Sequence, residues 1–156
     1  MSSVELKVEL SASTFRENFF QCVSNSKWAH AAILAIAWRI TDDTLIEELR
    51  RLGASFDVSI ASYGLAPETL ESFPKASDIR SMSDADFDSK IAPKIAINHI
   101  NTAKQRASLD WEHLRDLRTL SPDFKSLFEW VARCLADKRA YAYDRFRTLL
   151  EITGQT

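Results

Sequence analysis

The chain has 156 residues, of which 46% are hydrophobic and 27% charged, and this composition indicates one globular domain and excludes a disordered chain. The formal net charge of −2 gives no overall attraction to nucleic acid, although it is compatible with a local basic groove formed by clustered Lys and Arg. No apolar run is long enough to span a bilayer, and no secretory signal pattern is present. Cys22 and Cys134 lie among apolar residues without metal-ligand spacing. We therefore expect free thiols, a cytoplasmic location and no membrane partner, with a disulfide as the alternative.

The first third of the chain alternates predicted strands and helices. Residues 4–10 alternate apolar and charged side chains, which is typical of a half-buried strand. A helix capped by Ser11 or Ser13 follows, and the continuous apolar run over residues 31–40 predicts a strand buried on both faces.

The next helix has clear start and stop signals. Thr41, Asp42 and Asp43 are good N-caps, and Gly53 stands where a glycine commonly ends a helix. Residues 56–61 alternate again and predict a third strand.

The rest of the chain is predicted to be helical. Ser121 and Pro122 form an N-cap and first-position pair. The predicted helical segments are residues 67–73, 84–106 with a break at Pro93, 109–120, a helix opened by Pro122, and 140–152. The fold class is therefore α/β. We expect a small mixed sheet with crossover helices over residues 1–64, and a helical half, residues 65–156, packed on it in a single domain.

The pair Glu5 and Lys7 is the first candidate for chemistry. Residues two apart on a strand point to the same face, so a carboxylate and an ammonium lie side by side. Such a pair suits phosphodiester hydrolysis, because the carboxylate can ligate Mg²⁺ and the lysine can neutralise a phosphate oxygen. Alternating charges on the wet face of an edge strand are the other explanation of the same pattern.

Further segments give this pair a context. They are FFQCVSNSKWA at residues 19–29, EELRRL at 47–52, LDWE at 109–112 and PDFK at 122–125. With these segments the chain resembles the PD-(D/E)xK, or restriction-endonuclease-like, nuclease superfamily. More narrowly, it is similar to the C-terminal domain of HrgA-like proteins, a bacterial family associated with restriction systems. The resemblance covers residues 4–131.

The resemblance implies roles for particular residues. Glu5 would be the metal-binding carboxylate, Lys7 the catalytic lysine, and Gln21 a helix residue that faces the active site. Mg²⁺ would be the cofactor of an active enzyme, and DNA or RNA its substrate. The residues that would contact backbone phosphates are Ser24, Asn25, Ser26 and Lys27. Helix C-capping and surface hydrogen bonding are the alternative explanation for Gln21 and Asn25.

One part of the superfamily pattern is missing. The superfamily places an acidic residue, usually Asp, on a strand before the Glu-x-Lys strand, whereas residues 1–3 alone precede the predicted strand over residues 4–10 in this sequence. One carboxylate is a poor Mg²⁺ site, because the cation usually needs two or more fixed oxygens. Three explanations stay open: the sequence is a fragment of a longer protein, a protein partner or second copy completes the site, or the site has decayed.

Two functions follow from these alternatives. The first is a nucleic-acid-associated, restriction-endonuclease-like protein tied to restriction or phage defence, with weak or no metal-dependent nuclease activity alone. The second is a non-catalytic protein-interaction module or inhibitor in conflicts between phage and host. An exposed apolar patch would favour the second function, and a basic cleft would favour the first.

Overall fold

The computed structural model of the chain describes residues 1–142. The helix predicted over residues 140–152 lies, beyond residue 142, outside the described residues. The strands are β1 (Ser2–Lys7), β2 (Ala31–Trp38), β3 (Val58–Leu65) and β4 (Asn98–Asn101). The helices are α1 (Phe15–Ser26), α2 (Asp43–Phe56), α3 (Pro67–Glu71), α4 (Ala76–Ser81), α5 (Asp84–Lys90), α6 (Trp111–Leu120) and α7 (Pro122–Ala136), with a 3₁₀ turn at Ala92–Lys94. No helix within residues 1–142 has the length and apolar character needed to cross a membrane.

The four strands form one mixed sheet in the order β1-β2-β3-β4. The pairs β1–β2 and β2–β3 are parallel, and β4 runs antiparallel to β3. Parallel neighbours need crossover connections, which α1 and α2 supply. The predicted α/β class, with a mixed sheet, crossover helices and a helical C-terminal part, is confirmed.

The chain divides into two compact units, Met1–Leu109 and Asp110–Thr156. The first unit contains the whole sheet and α1 to α5, and the second contains α6 and α7. The packing of a helical half on the sheet in a single domain stays a prediction.

In the first unit, α1 and α2 cover one face of the sheet, and the hydrophobic core lies between them and the strands. Each strand from β2 to β4 contributes apolar side chains to that face. The core residues are Phe15, Phe19 and Cys22 from α1, Leu45, Leu49 and Leu52 from α2, Ala32, Leu34 and Ile36 from β2, Val58 and Ile60 from β3, Ile100 from β4, and Ile40.

Strand β1 is turned the opposite way from what its alternation suggests. Its charged side lies against α1, while its apolar side is exposed at Val4 (57%) and Leu6 (70%), and Val8, the residue directly after the strand, is exposed as well (56%). The reason is the register with β2, in which Glu5 pairs with Leu34. Paired residues in neighbouring strands share a face, so Glu5 takes the helix-covered side. We call the three exposed residues the apolar row.

The second unit agrees with its capping signals. The Ser121 side chain accepts a hydrogen bond from the backbone N–H of Phe124 at 3.3 Å, and Pro122 occupies the first turn of α7. In α6, the Asp110 side chain caps the N-terminus by accepting from the N–H of His113 at 3.0 Å. The Trp111 and Phe128 rings make an edge-to-face contact with centroids 6.2 Å apart.

Several local predictions are wrong. The N-cap of α1 is Thr14, without a side-chain cap hydrogen bond, and not Ser11 or Ser13. The third strand begins at Val58 and not at residue 56.

Residues 98–101 form β4 and not part of a helix, because Asn101 and its neighbours pair with β3. The 3₁₀ turn that contains Pro93 ends the preceding helical region.

Helix α2 does not end at Gly53 but continues to Phe56, and Asp57 ends it in the left-handed conformation at φ 54°. The N-cap prediction is confirmed at Asp42, which accepts from the N–H of Leu45 at 3.1 Å.

Gly53 has a packing role instead of an ending role. A Cβ at this position would lie 2.7 Å from Nδ2 of Asn101 and 2.9 Å from the backbone oxygen of Val58. Those two atoms are already joined, since Asn101 Nδ2 donates to the Val58 oxygen at 2.7 Å. Glycine therefore allows α2 to approach β3 and β4 closely.

We expect Gly53→Ala to destabilise the protein by about 1–3 kcal/mol, because an added methyl group overpacks this contact. Helix propensity acts in the opposite direction by about 1 kcal/mol, so overpacking is expected to win. Urea unfolding measures the difference. Ser55→Ala, at an exposed site of the same helix, is the control and should change stability by less than about 0.5 kcal/mol. A Gly53→Ala protein as stable as wild type would contradict the close approach.

Candidate functional site

Four polar side chains meet where β1 lies beneath α1. Glu5 and Lys7 are two residues apart on the strand, and Gln21 and Asn25 are four apart on the helix, so each pair shares one face. We call these four residues the polar cluster. The structure thus brings together the three residues predicted as catalytic and adds Asn25, which was predicted as a phosphate contact.

The cluster is connected by three short contacts. Lys7 Nζ lies 3.0 Å from Glu5 Oε1 and donates a hydrogen bond to Gln21 Oε1 at 2.8 Å. Asn25 Nδ2 donates to Glu5 Oε2 at 3.1 Å. The side chains of Lys7 and Glu5 are 21% and 18% exposed, so the pair is partly shielded from water and still reachable from solvent. Charge-assisted bonds of this kind are stronger than neutral ones.

The Glu5 carboxyl is held in its charged form. Burial alone would raise its pKa, but the hydrogen bonds from Lys7 and Asn25 and the positive charge of Lys7 outweigh burial. The pKa of Glu5 is therefore lowered from its ordinary value of 4.5. At neutral pH the cluster contains one carboxylate and one ammonium, and their charges cancel.

The Cys22 thiol, which lies close to Glu5 and Lys7, is unreactive at neutral pH. Burial, and then the negative charge of Glu5, raise the pKa of the Cys22 thiol to about 11. The thiolate is the reactive form of cysteine, so this side chain has no nucleophile to offer at neutral pH. Both cysteines are free, with Cys22 buried and Cys134 partly buried.

The four residues predicted to contact phosphates, residues 24–27, lie at the end of α1 and directly after it. Their side chains differ in solvent exposure. Ser24 and Lys27 are exposed. Ser26 is buried, and its hydroxyl donates to the backbone oxygen of Val23 at 3.2 Å, so this side chain is turned away from any bound ligand. Trp28 is buried as well, and its indole N–H donates to the backbone oxygen of Asn25 at 2.8 Å.

Arg106 is a structural residue of this region that the sequence reasoning missed. Its guanidinium Nη1 lies 2.6 Å from the backbone oxygen of Lys27 and 3.3 Å from that of Ser26. The carbonyl end of a helix carries partial negative charge, and a cation placed there stabilises it. Arg106 lies 80 residues beyond Ser26, so no local pattern could have indicated the contact.

The polar cluster does not fit a Mg²⁺ site by itself. Glu5 is its only carboxylate, and both oxygens of that carboxylate already accept from Lys7 and Asn25. Within residues 1–142 no group of three or more His, Cys, Asp or Glu side chains could hold a metal ion. Hard divalent cations take several oxygen ligands, so Glu5 could serve as a metal ligand only with further oxygens from outside this set.

Comparison with known proteins gives no relative. No family model matches the sequence, and no curated protein or solved structure matches it either. The assignment of roles to the polar cluster therefore depends on its own geometry and on the sequence resemblance.

We expect Glu5→Gln to lower the free energy of unfolding at neutral pH by up to about 1 kcal/mol, because a neutral amide makes weaker bonds to Lys7 and Asn25. The folded-state pKa of Glu5 lies below its unfolded value, so the ionised side chain stabilises the fold above the unfolded value. That stabilisation is lost as the pH falls through the folded value. The difference between wild type and Glu5→Gln should therefore shrink below about pH 4.5.

Urea unfolding between pH 3 and pH 8 (roughly the range in which carboxyl groups titrate) measures this difference. Glu9→Gln, at an exposed position just beyond β1, is the matched control and should show little effect at any pH. A stability difference for Glu5→Gln that stayed constant across the range would contradict the lowered pKa.

Proposed function

We propose that this chain is a nucleic-acid-associated protein of the restriction-endonuclease-like class, acting in restriction or phage conflict in the cytoplasm. The observation that carries the proposal is the polar cluster, in which Lys7 lies within hydrogen-bonding distance of both Glu5 and Gln21. These residue types on a strand and an adjacent helix match the resemblance. A single copy is expected to cleave little or nothing, because it supplies one carboxylate to the site.

The cluster has donors left for a phosphate oxygen. An ammonium carries three N–H groups, and two acceptors, Glu5 and Gln21, are within reach of Lys7 among the described residues. Gln21, an exposed residue whose side-chain oxygen accepts from Lys7, carries two amide N–H donors of its own. Lys27, the exposed residue that directly follows α1, adds a second cation near the end of that helix. Phosphate contacts of this kind give affinity without sequence preference, so DNA and RNA both stay open as ligands.

We expect the chain to bind short labelled DNA or RNA weakly, and Lys7→Ala to weaken the binding by roughly ten- to a hundredfold, because one charge-assisted contact of about 1.5–3 kcal/mol is lost. Fluorescence anisotropy at low salt measures the affinity, since such binding is strongly salt-dependent. Lys90→Ala is the control, because Lys90 is an exposed lysine of the same unit that is paired with Asp86.

The control variant should bind like wild type. Equal weakening by Lys7→Ala and Lys90→Ala would indicate a general charge effect and not a site. No binding of any DNA or RNA would overturn the proposal. Incubating the same nucleic acids with Mg²⁺ or Mn²⁺ gives a second result. Cleavage that disappears in both Glu5→Ala and Lys7→Ala would place the chemistry at the polar cluster, and such cleavage by a protein with the mass of one chain would contradict the expected inactivity of a single copy.

A second candidate function is a protein-interaction module. The observation that favours it is the apolar row on β1, with Leu6 70% exposed. Contiguous exposed apolar residues commonly mark interaction surfaces. This function does not require catalysis and agrees with a site that has one carboxylate.

A further inference from the structure

Strand β1 is an edge strand with an open side. It lies at the end of the sheet order, and within the described residues it pairs with β2 alone. Its pairing with β2 runs over six residues without a register shift. The other edge strand, β4, has four residues and a register shift against β3. Short or irregular edges resist further pairing and long regular edges invite it, so β1 is the edge that can accept another strand.

The sequence of β1 is complementary to itself. If two copies of the segment VELKV (residues 4–8) run antiparallel around Leu6, then Leu6 lies opposite Leu6, and Val4 lies opposite Val8. Glu5 of each copy then lies opposite Lys7 of the other. Residues directly opposite in an antiparallel pair are close enough for apolar and opposite-charge pairs to stabilise it.

The neighbouring registers lack this property. Centring the pair on Glu5 places two carboxylates opposite each other, and centring it on Lys7 places two ammonium groups opposite each other. The latter register also sets Glu5 against Glu9. Like charges directly opposite are destabilising, so the register around Leu6 is preferred. Charged side chains on the covered face of an edge strand usually discourage pairing, whereas here their order makes pairing with a second copy favourable.

From the open edge, the apolar row and this charge order, we infer that β1 is the contact between two copies of this chain. The two β1 strands pair antiparallel about Leu6, and the two sheets become one continuous sheet. The apolar rows of the two copies form one apolar strip on the face away from α1. Such a contact is isologous, as expected for a twofold dimer.

The pairing has a consequence for the polar cluster, and this consequence rests on the proposed function, whereas the pairing itself does not. Both Glu5 side chains lie on the same face of the joined sheet, on diagonally related positions about 7–8 Å apart. Each cluster thus gains a second carboxylate from the other copy, which is the type of ligand that a single copy lacks.

Size-exclusion chromatography with light scattering across a concentration series tests the pairing without any nucleic acid. Wild type should reach the mass of two 17.7-kDa chains. Leu6→Lys should halve that mass, because it places two ammonium groups opposite each other at the dyad. Leu120→Lys is the matched control, since Leu120 is similarly exposed (77%) but lies outside β1, and it should keep the two-chain mass. A wild type with the mass of one chain throughout the series would overturn the inference.

A charge exchange tests the register. Glu5→Lys and Lys7→Glu should each show the mass of one chain alone, because each variant places like charges opposite each other. Mixed together, the two variants should form a heterodimer, in which every opposite pair again has unlike charges. Circular dichroism checks that each variant is folded before mixing. Folded variants that show no heterodimer after mixing would overturn the register around Leu6, whatever the two proteins do with DNA or RNA.

Discussion

The register of β1 against β2 is the constraint on which the rest of this structure depends. Pairing Glu5 with Leu34 places the charged side of β1 under α1. Because side chains on a strand alternate with a period of two, the same register forces Leu6 and its apolar neighbours outward. The polar cluster and the apolar row are therefore two results of one choice of register. The contacts of Gln21 and Asn25 with the strand hold that choice in place.

The charges of the polar cluster cancel, and this limits the chemistry that a single copy can carry out. Lys7 neutralises Glu5, and both carboxylate oxygens have hydrogen-bond donors. A site of this composition can present N–H groups to a phosphate, but it lacks the oxygen ligands that a hard cation needs. The chemistry that the resemblance implies would therefore require a second source of carboxylates, whereas binding requires nothing further. This difference places association with nucleic acid ahead of its hydrolysis in the proposed function.

Where local chemistry decides the structure, the sequence was informative. The caps at Asp42 and Ser121, and the buried run that became β2, follow from side-chain hydrogen bonding and apolar patterning within a few residues. Where contacts between residues far apart in the chain decide the structure, the sequence was not informative. Gly53 looked like a helix end, but its absent side chain makes room for Asn101, and that need is visible only after α2 packs on the sheet.

The same distinction applies to the candidate site. The spacing of Glu5 and Lys7 predicted that they share a face, but not which face the helix covers, since an alternating pattern normally buries its apolar side. The contact of Arg106 with the end of α1 could not be predicted for a similar reason, because its partners there are about 80 residues away in sequence. The strand spacing thus indicated Glu5 and Lys7, the family resemblance indicated Gln21 and Asn25, and tertiary pairing determined their surroundings.

A double-mutant cycle between Glu5 and Asn25 tests the central claim, the placement of the charged side of β1 under α1, most directly. Unfolding free energies of wild type, Glu5→Ala, Asn25→Ala and the double variant give the coupling between strand and helix. The structure, with Asn25 Nδ2 3.1 Å from Glu5 Oε2, predicts a favourable coupling of about 0.5–1.5 kcal/mol. A coupling of zero would mean that Glu5 does not face α1, and the polar cluster and the apolar row would both be contradicted.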